Sequence, residues 1–148
     1  MASFDIETFR QQSKLFQLLD GSGQERLVAL AREESFPDGH TLMREGDGGQ
    51  SFYVVLIGAL RVLIAGNAGP REVAQLGPGA FVGEIAALMN EPRSATVVTV
   101  GQTSCLRFDA PPIQDLLKEY PTVRQALVKL ALKRSEDNLA EMIKDGDD

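Results

Sequence analysis

The chain has one cysteine and one histidine among 148 residues, and its 15 Lys and Arg are outnumbered by 21 Asp and Glu. A single Cys105 excludes an internal disulfide. A single His40, set beside Gly39 in a turn, leaves a cupin-like metal enzyme without the several converging ligands it needs, and its surroundings read as a structural surface position. No Ser-His-Asp or Cys-His arrangement is available beyond that one imidazole, and Cys105 lies in a strand pattern where a buried inert thiol is expected, so no enzyme activity is expected. There is no charged-then-apolar N-terminal signal and no apolar run of membrane-spanning length, which makes the cytoplasm the expected compartment. The formal charge of −6 and a pI near 4.8 disfavour a polyanion-binding surface, so nucleic acid is not an expected direct partner. A single phosphate is a different matter, because helix N-termini and individual Arg side chains act at close range in a compact pocket.

What is present fits one domain over 1–148, with 43% hydrophobic and 24% charged residues. Ile6, Phe9, Phe16 and Leu19 recur at helical spacing, and Ser22 with Glu25 forms a capping-box pattern ahead of Leu27, Val28 and Leu30; residues 1–36 therefore read as N-terminal helices. From Pro37 the pattern changes to short β-branched and aromatic segments, 41–43, 51–57, 60–65, 71–76, 94–100 and 103–108, punctuated by Gly, Pro and Asn. The spacing predicts an antiparallel, jelly-roll-like β-roll over 37–110. After Pro111-Pro112 helical periodicity returns with Ile113, Leu116 and Leu117, and again after Pro121 with Val123, Ala126, Leu127 and Leu130. The expected class is α+β, with two C-terminal helices and an acidic tail over 111–148, where residues 135–148 hold six acids against one Lys.

Residues 79–97 carry the chemistry: a Gly-rich turn, a short helical stretch, then an Arg before a β-branched strand. Gly83 permits close backbone approach, and the amides of Ile85 and Ala86 fall in a first helical turn where donors face outward. Arg93 supplies a charge-assisted partner for an anion. Glu84 would repel a phosphate unless the ligand also offers a donor, as a ribose hydroxyl does. A second reading stays open here: Arg93 and Glu84 forming a structural ion pair that closes the turn.

This segment resembles the phosphate-binding cassette of the cyclic-nucleotide-binding domain family, through Phe81, Gly83, Glu84, Ile85, Ala86, Arg93, Ser94, Ala95 and Thr96. It departs from the tightest form of the motif in having Val82, not Phe, directly before Gly83. The resemblance extends through Phe36-Pro37-Asp38-Gly39, Glu45-Gly46-Asp47, Phe52-Tyr53-Val54-Val55 and Gly58-Ala59-Leu60-Arg61-Val62. It implies that cAMP, or as second choice cGMP, is a regulatory ligand and that no other cofactor is needed. It further implies that Glu84 accepts from the ribose 2′-hydroxyl, that Arg93 pairs with the cyclic phosphate, and that the Ile85 and Ala86 amides complete the cradle. Ser94 falls where a hydroxyl can bond the phosphate and the amino group of a syn guanine. Val62, Ala74 and Leu76 match the apolar wall beside the base, or are simply core. Arg134 aligns with a last-helix position from which cyclic-nucleotide-gated channels place an Arg over the purine, or is a solvated helix Arg.

On a helix, Val123, Leu127, Leu130 and Arg134 share one face, which predicts that the last helix closes over the roll as a lid. A second face, with Val128, Leu132, Leu139, Met142 and Ile143, packs on the N-terminal helices or meets a homodimer partner or protein effector. Two kinds of protein fit: a free-standing cytosolic sensor, towards which Met1 and the acidic tail lean, and the regulatory domain of a larger channel, kinase or enzyme. A catabolite-activator-type transcription factor would need a basic helix-turn-helix, and after Arg134 there is a single basic residue, Lys144, among six acids.

Overall fold

The computed structural model describes residues 11, 13–130 and 132. It is an α+β fold in which α1 (Lys14–Leu18) and α2 (Gly21–Val28) precede β1 (Arg32–Phe36), β2 (Thr41–Met43), β3 (Ser51–Gly66), β4 (Gly69–Leu76) and β5 (Phe81–Val82). There follow α3 (Glu84–Leu88), β6 (Thr96–Asp109), α4 (Ala110–Leu117) and α5, the helix described over 121–130. All six strands form one antiparallel sheet in the order β1-β6-β3-β4, with β2 also on β6 and β5 also on β3. Ile6 and Phe9 lie outside the described residues.

Three boundaries differ from the sequence pattern. The cap of α2 is Asp20, not Ser22, because the Asp20 carboxylate accepts from both Gly23 N at 2.8 Å and the Tyr120 hydroxyl at 2.8 Å. Strand β1 starts before Pro37, inside the region expected to be helical. It is charged and shows no apolar alternation; its place is set by the ladder to β6, with Glu34 paired to Arg107 at 3.0 Å. Segments 51–57 and 60–65 are one strand, as are 94–100 and 103–108. The glycines between them bend each strand without ending it, at φ 100° for Gly58 and 72° for Gly101. The ladder shifts register there and continues from Ile57↔Ser104 to Ala59↔Val100. A Cβ on Gly58 would lie 2.6 Å from Thr103 Oγ1 and 2.8 Å from the Gln102 carbonyl, so this corner requires glycine.

Strand periodicity divides the core into two. Phe52, Val54, Leu106 and Phe108 face a helical layer containing Leu15, Phe16, Leu27, Ile113, Leu117, Val123 and Leu127. Tyr53, Val55 and Cys105 point the other way, into the roll, with Met43, Leu60 and Val97. Burial on both faces explains why 52–55 is continuously apolar. On α5, Val123 and Leu127 are buried and Leu130 is half-buried against the helical layer. Of the second stripe, Val128 is half-buried and Leu132 is 63% exposed, while Leu139, Met142 and Ile143 lie outside the described residues. No helix among the described residues is long and apolar enough to cross a membrane.

Candidate functional site

Strand β5 adds to β3 through Tyr53↔Val82 and Val54↔Phe81, which delivers Gly83 to the rim of the roll. Gly83 takes φ 82° as the N-cap of α3, a left-handed conformation that favours glycine. A Cβ would also lie 2.6 Å from Arg93 Nη1 and 2.9 Å from Met43 Cε, so a side chain here would displace those two side-chain ends. The first hydrogen bond of α3 runs from Ala87 N to Gly83 O at 3.0 Å, so the amides of Ile85 and Ala86 precede it as first-turn donors.

Arg93 is held from all sides by backbone. Its own amide donates to Asp47 O and its carbonyl accepts from Gly46 N, both at 2.8 Å. Its side chain passes Gly49, donates from Nη1 to Gly83 O at 3.1 Å and from Nη2 to Ser51 O, and is 6% exposed. No carboxylate among the described residues pairs with it, and burial pulls its pKa below the ordinary arginine value. The Arg93–Glu84 ion pair left open by the sequence is not formed. Glu84, 8% exposed, instead accepts from Ser13 Oγ at 2.9 Å. A desolvated guanidinium without a counter-ion is costly. It is offset here by carbonyl acceptors and is suited to receive an anion.

These groups border one cavity of about 440 Å³. Of the residues singled out in the sequence, Val62, Leu76, Gly83, Glu84, Ile85, Ala86, Arg93 and Ser94 all line it. Ala74 does not line it, although it pairs with Val62 across the ladder. Arg134 lies outside the described residues, and no residue of 121–130 lines the cavity. The wall also includes Met43 and Val97, which sequence patterning placed only in strands, and Phe81, whose ring stacks 6.2 Å from Phe52. Arg93 borders a second cavity of about 350 Å³ on its other side, with Asp47, Gly49 and Tyr53. Ser13 was not singled out in the sequence; its contact with Glu84 spans 71 residues and left no local signal. His40 is exposed and stacks on Phe36 at 4.9 Å, and burial pushes the Cys105 thiol up to about 11.

A bent antiparallel roll with a cavity lined by a glycine-capped helix and a buried arginine defines a class of domain. Residues 33–120 match the cyclic nucleotide-binding domain family, and the chain belongs to it. It is similar to the regulatory domain of Toxoplasma gondii PKA, crystallised with cAMP, at 28% identity and TM-score 0.72 over 90% of this chain and 53% of that one. It is similar to the catabolite activator protein of Thermus thermophilus, at 29% identity and TM-score 0.69 over 87% of this chain and 61% of that one. The N-terminal domain of a Streptomyces coelicolor transcriptional regulator aligns at 27% identity and TM-score 0.68, over 90% of this chain and 96% of that domain. The chain thus spans about half of the Toxoplasma protein and less than two thirds of the Thermus one.

Proposed function

We propose that the chain is a cytosolic regulatory domain that binds cAMP in preference to cGMP, performs no chemistry on it, and signals by closure of its C-terminal helix. The observation that carries this reading is Arg93: a buried guanidinium with no carboxylate partner among the described residues, lining a cavity together with Ile85 and Ala86 of the first turn of α3. A cyclic phosphate supplies the missing charge, with Arg93, Ile85 N and Ala86 N as its donors. Glu84 accepts from the ribose 2′-hydroxyl, and Val62 and Leu76 offer the base an apolar wall, with Ala74 paired beside Val62 on β4.

Ser94 is exposed at the cavity and is the single hydroxyl in the cassette suited to the guanine amino group. With no second reader of the purine edge in view, adenine is the preferred base. Residues 121–130 are anchored through Val123 and Leu127, so the closing part is the chain beyond them, including Arg134 over the purine. Closure repositions the second stripe for a protein effector or a second copy. A regulatory domain within a larger protein is the second reading, favoured by the Toxoplasma and Thermus proteins, of which this chain matches only a part.

Calorimetric titration with cAMP, cGMP and a cyclic dinucleotide tests the ligand assignment. The expected order is cAMP tightest, then cGMP, with no dinucleotide binding. A cGMP preference that disappears in Ser94→Ala would reverse the base assignment.

A further inference from the structure

We infer that Ser13 is a positioning residue for Glu84, coupling α1 to the ribose end of the site through one hydroxyl. This rests on the reading of Glu84 as the ribose acceptor. Ser13 is fully buried and is the N-cap of α1. Its Oγ accepts from Phe16 N at 3.0 Å, and its single proton goes to Glu84 Oε2 at 2.9 Å. Amide, hydroxyl and carboxylate therefore form a directional chain in which the hydroxyl has no rotational freedom left.

The choice of residue follows from this dual demand. Capping alone is met by Asp, Asn, Gly or Ser. Asp would set a second carboxylate against Glu84, and Gly would remove the hydroxyl that Ser13 donates to it. The seat is rigid, because Leu15 and Phe16 of α1 are fully buried in the same cluster as Ile85, Ala87 and Leu88 of α3. Ser13 thus fixes where the Glu84 carboxylate lies when a ribose hydroxyl arrives. By linkage, the ligand that holds Glu84 in that orientation also stabilises the start of α1.

The test compares the affinities of cAMP and 2′-deoxy-cAMP in the full chain and in Ser13→Gly, Ser13→Ala, Ser13→Thr, Glu84→Gln and the Ser13→Gly/Glu84→Gln double variant. The ratio of the two affinities is internal to each protein, so lost helix stability affects both ligands alike. Ser13→Gly and Ser13→Ala should each reduce the ribose preference by roughly threefold to tenfold, the effect of one hydrogen bond. Ser13→Thr should restore it. In the double variant, Ser13→Gly should add nothing to the loss caused by Glu84→Gln. Equal weakening of both nucleotides by Ser13→Gly would leave Ser13 a helix cap only, and an unchanged ratio would overturn the coupling. If the parent shows no ribose preference, or Glu84→Gln leaves it intact, the ribose reading of Glu84 falls and takes this inference with it.

Discussion

Arg93 Nη1 donates to the carbonyl of Gly83 at 3.1 Å, joining two residues of the cassette that line the same cavity. The same carbonyl accepts the first hydrogen bond of α3, from Ala87 N. The guanidinium and the helix proposed to form the anion cradle are therefore held by one oxygen, and the absence of a side chain at Gly83 is what gives Arg93 its room.

Gly83→Ala tests that dependence. The added Cβ must sit at φ 82° and 2.6 Å from Arg93 Nη1. The substitution should cost roughly 1–3 kcal/mol of stability from the left-handed backbone alone. It should also weaken cyclic-nucleotide binding by displacing the guanidinium. Gly48→Ala, where a Cβ meets nothing within 4 Å, is the matched control and should change neither. Urea unfolding and nucleotide titration of the two variants read this out; equal behaviour would mean that Arg93 moves freely.

Cys105 predicts a pH dependence of stability unconnected with the ligand. Burial raises the folded thiol to about 11 from the ordinary 9.0, so the thiol stays neutral in the folded chain while the unfolded chain ionises. The contribution is fully present below about pH 9 and is lost as pH rises towards 11, by on the order of 2 kcal/mol. Burial raises Tyr53 as well, with the same sign, so the comparison must be differential. Unfolding of the parent and of Cys105→Ala at pH 7 and pH 10.5 should show a steeper decline in the parent. Parallel declines would mean that the thiol is accessible to solvent in the folded state.

The cassette was legible in the sequence because its parts are local: a turn, a short helix and an arginine within 79–97. The roll was legible from its punctuation, but Gly58 and Gly101 read as turns, since a bend at positive φ and a chain reversal look alike until the partner strand is known. Strand β1 was missed because Arg32, Glu33 and Glu34 lie at the edge of the sheet, where the ladder to β6 and the Glu34–Arg107 pair take the place of apolar alternation. Asp20 displaced Ser22 as the cap of α2 because Tyr120, far along the chain, donates to it. Ser13 was invisible for the same reason. Each miss involves a partner distant in sequence.

Lid closure is measured by hydrogen exchange with and without cAMP. Val123 and Leu127 are already buried by protein side chains, so amides of 121–130 should change little and those from 131 to 144 should gain protection, alongside clear gains over 83–96. Protection confined to 83–96 would mean that nucleotide binds without closing the last helix, and the route from ligand to effector would need another element.

Calorimetric titration of cAMP into Arg93→Ala tests most directly whether Arg93 is the phosphate partner. Loss of the charge from a buried site should weaken binding by about 2–5 kcal/mol while the protein remains folded. A folded Arg93→Ala variant that binds cAMP within about threefold of the parent, a difference under 1 kcal/mol, would show that Arg93 only braces Gly83 and Ser51 and would contradict the proposed site.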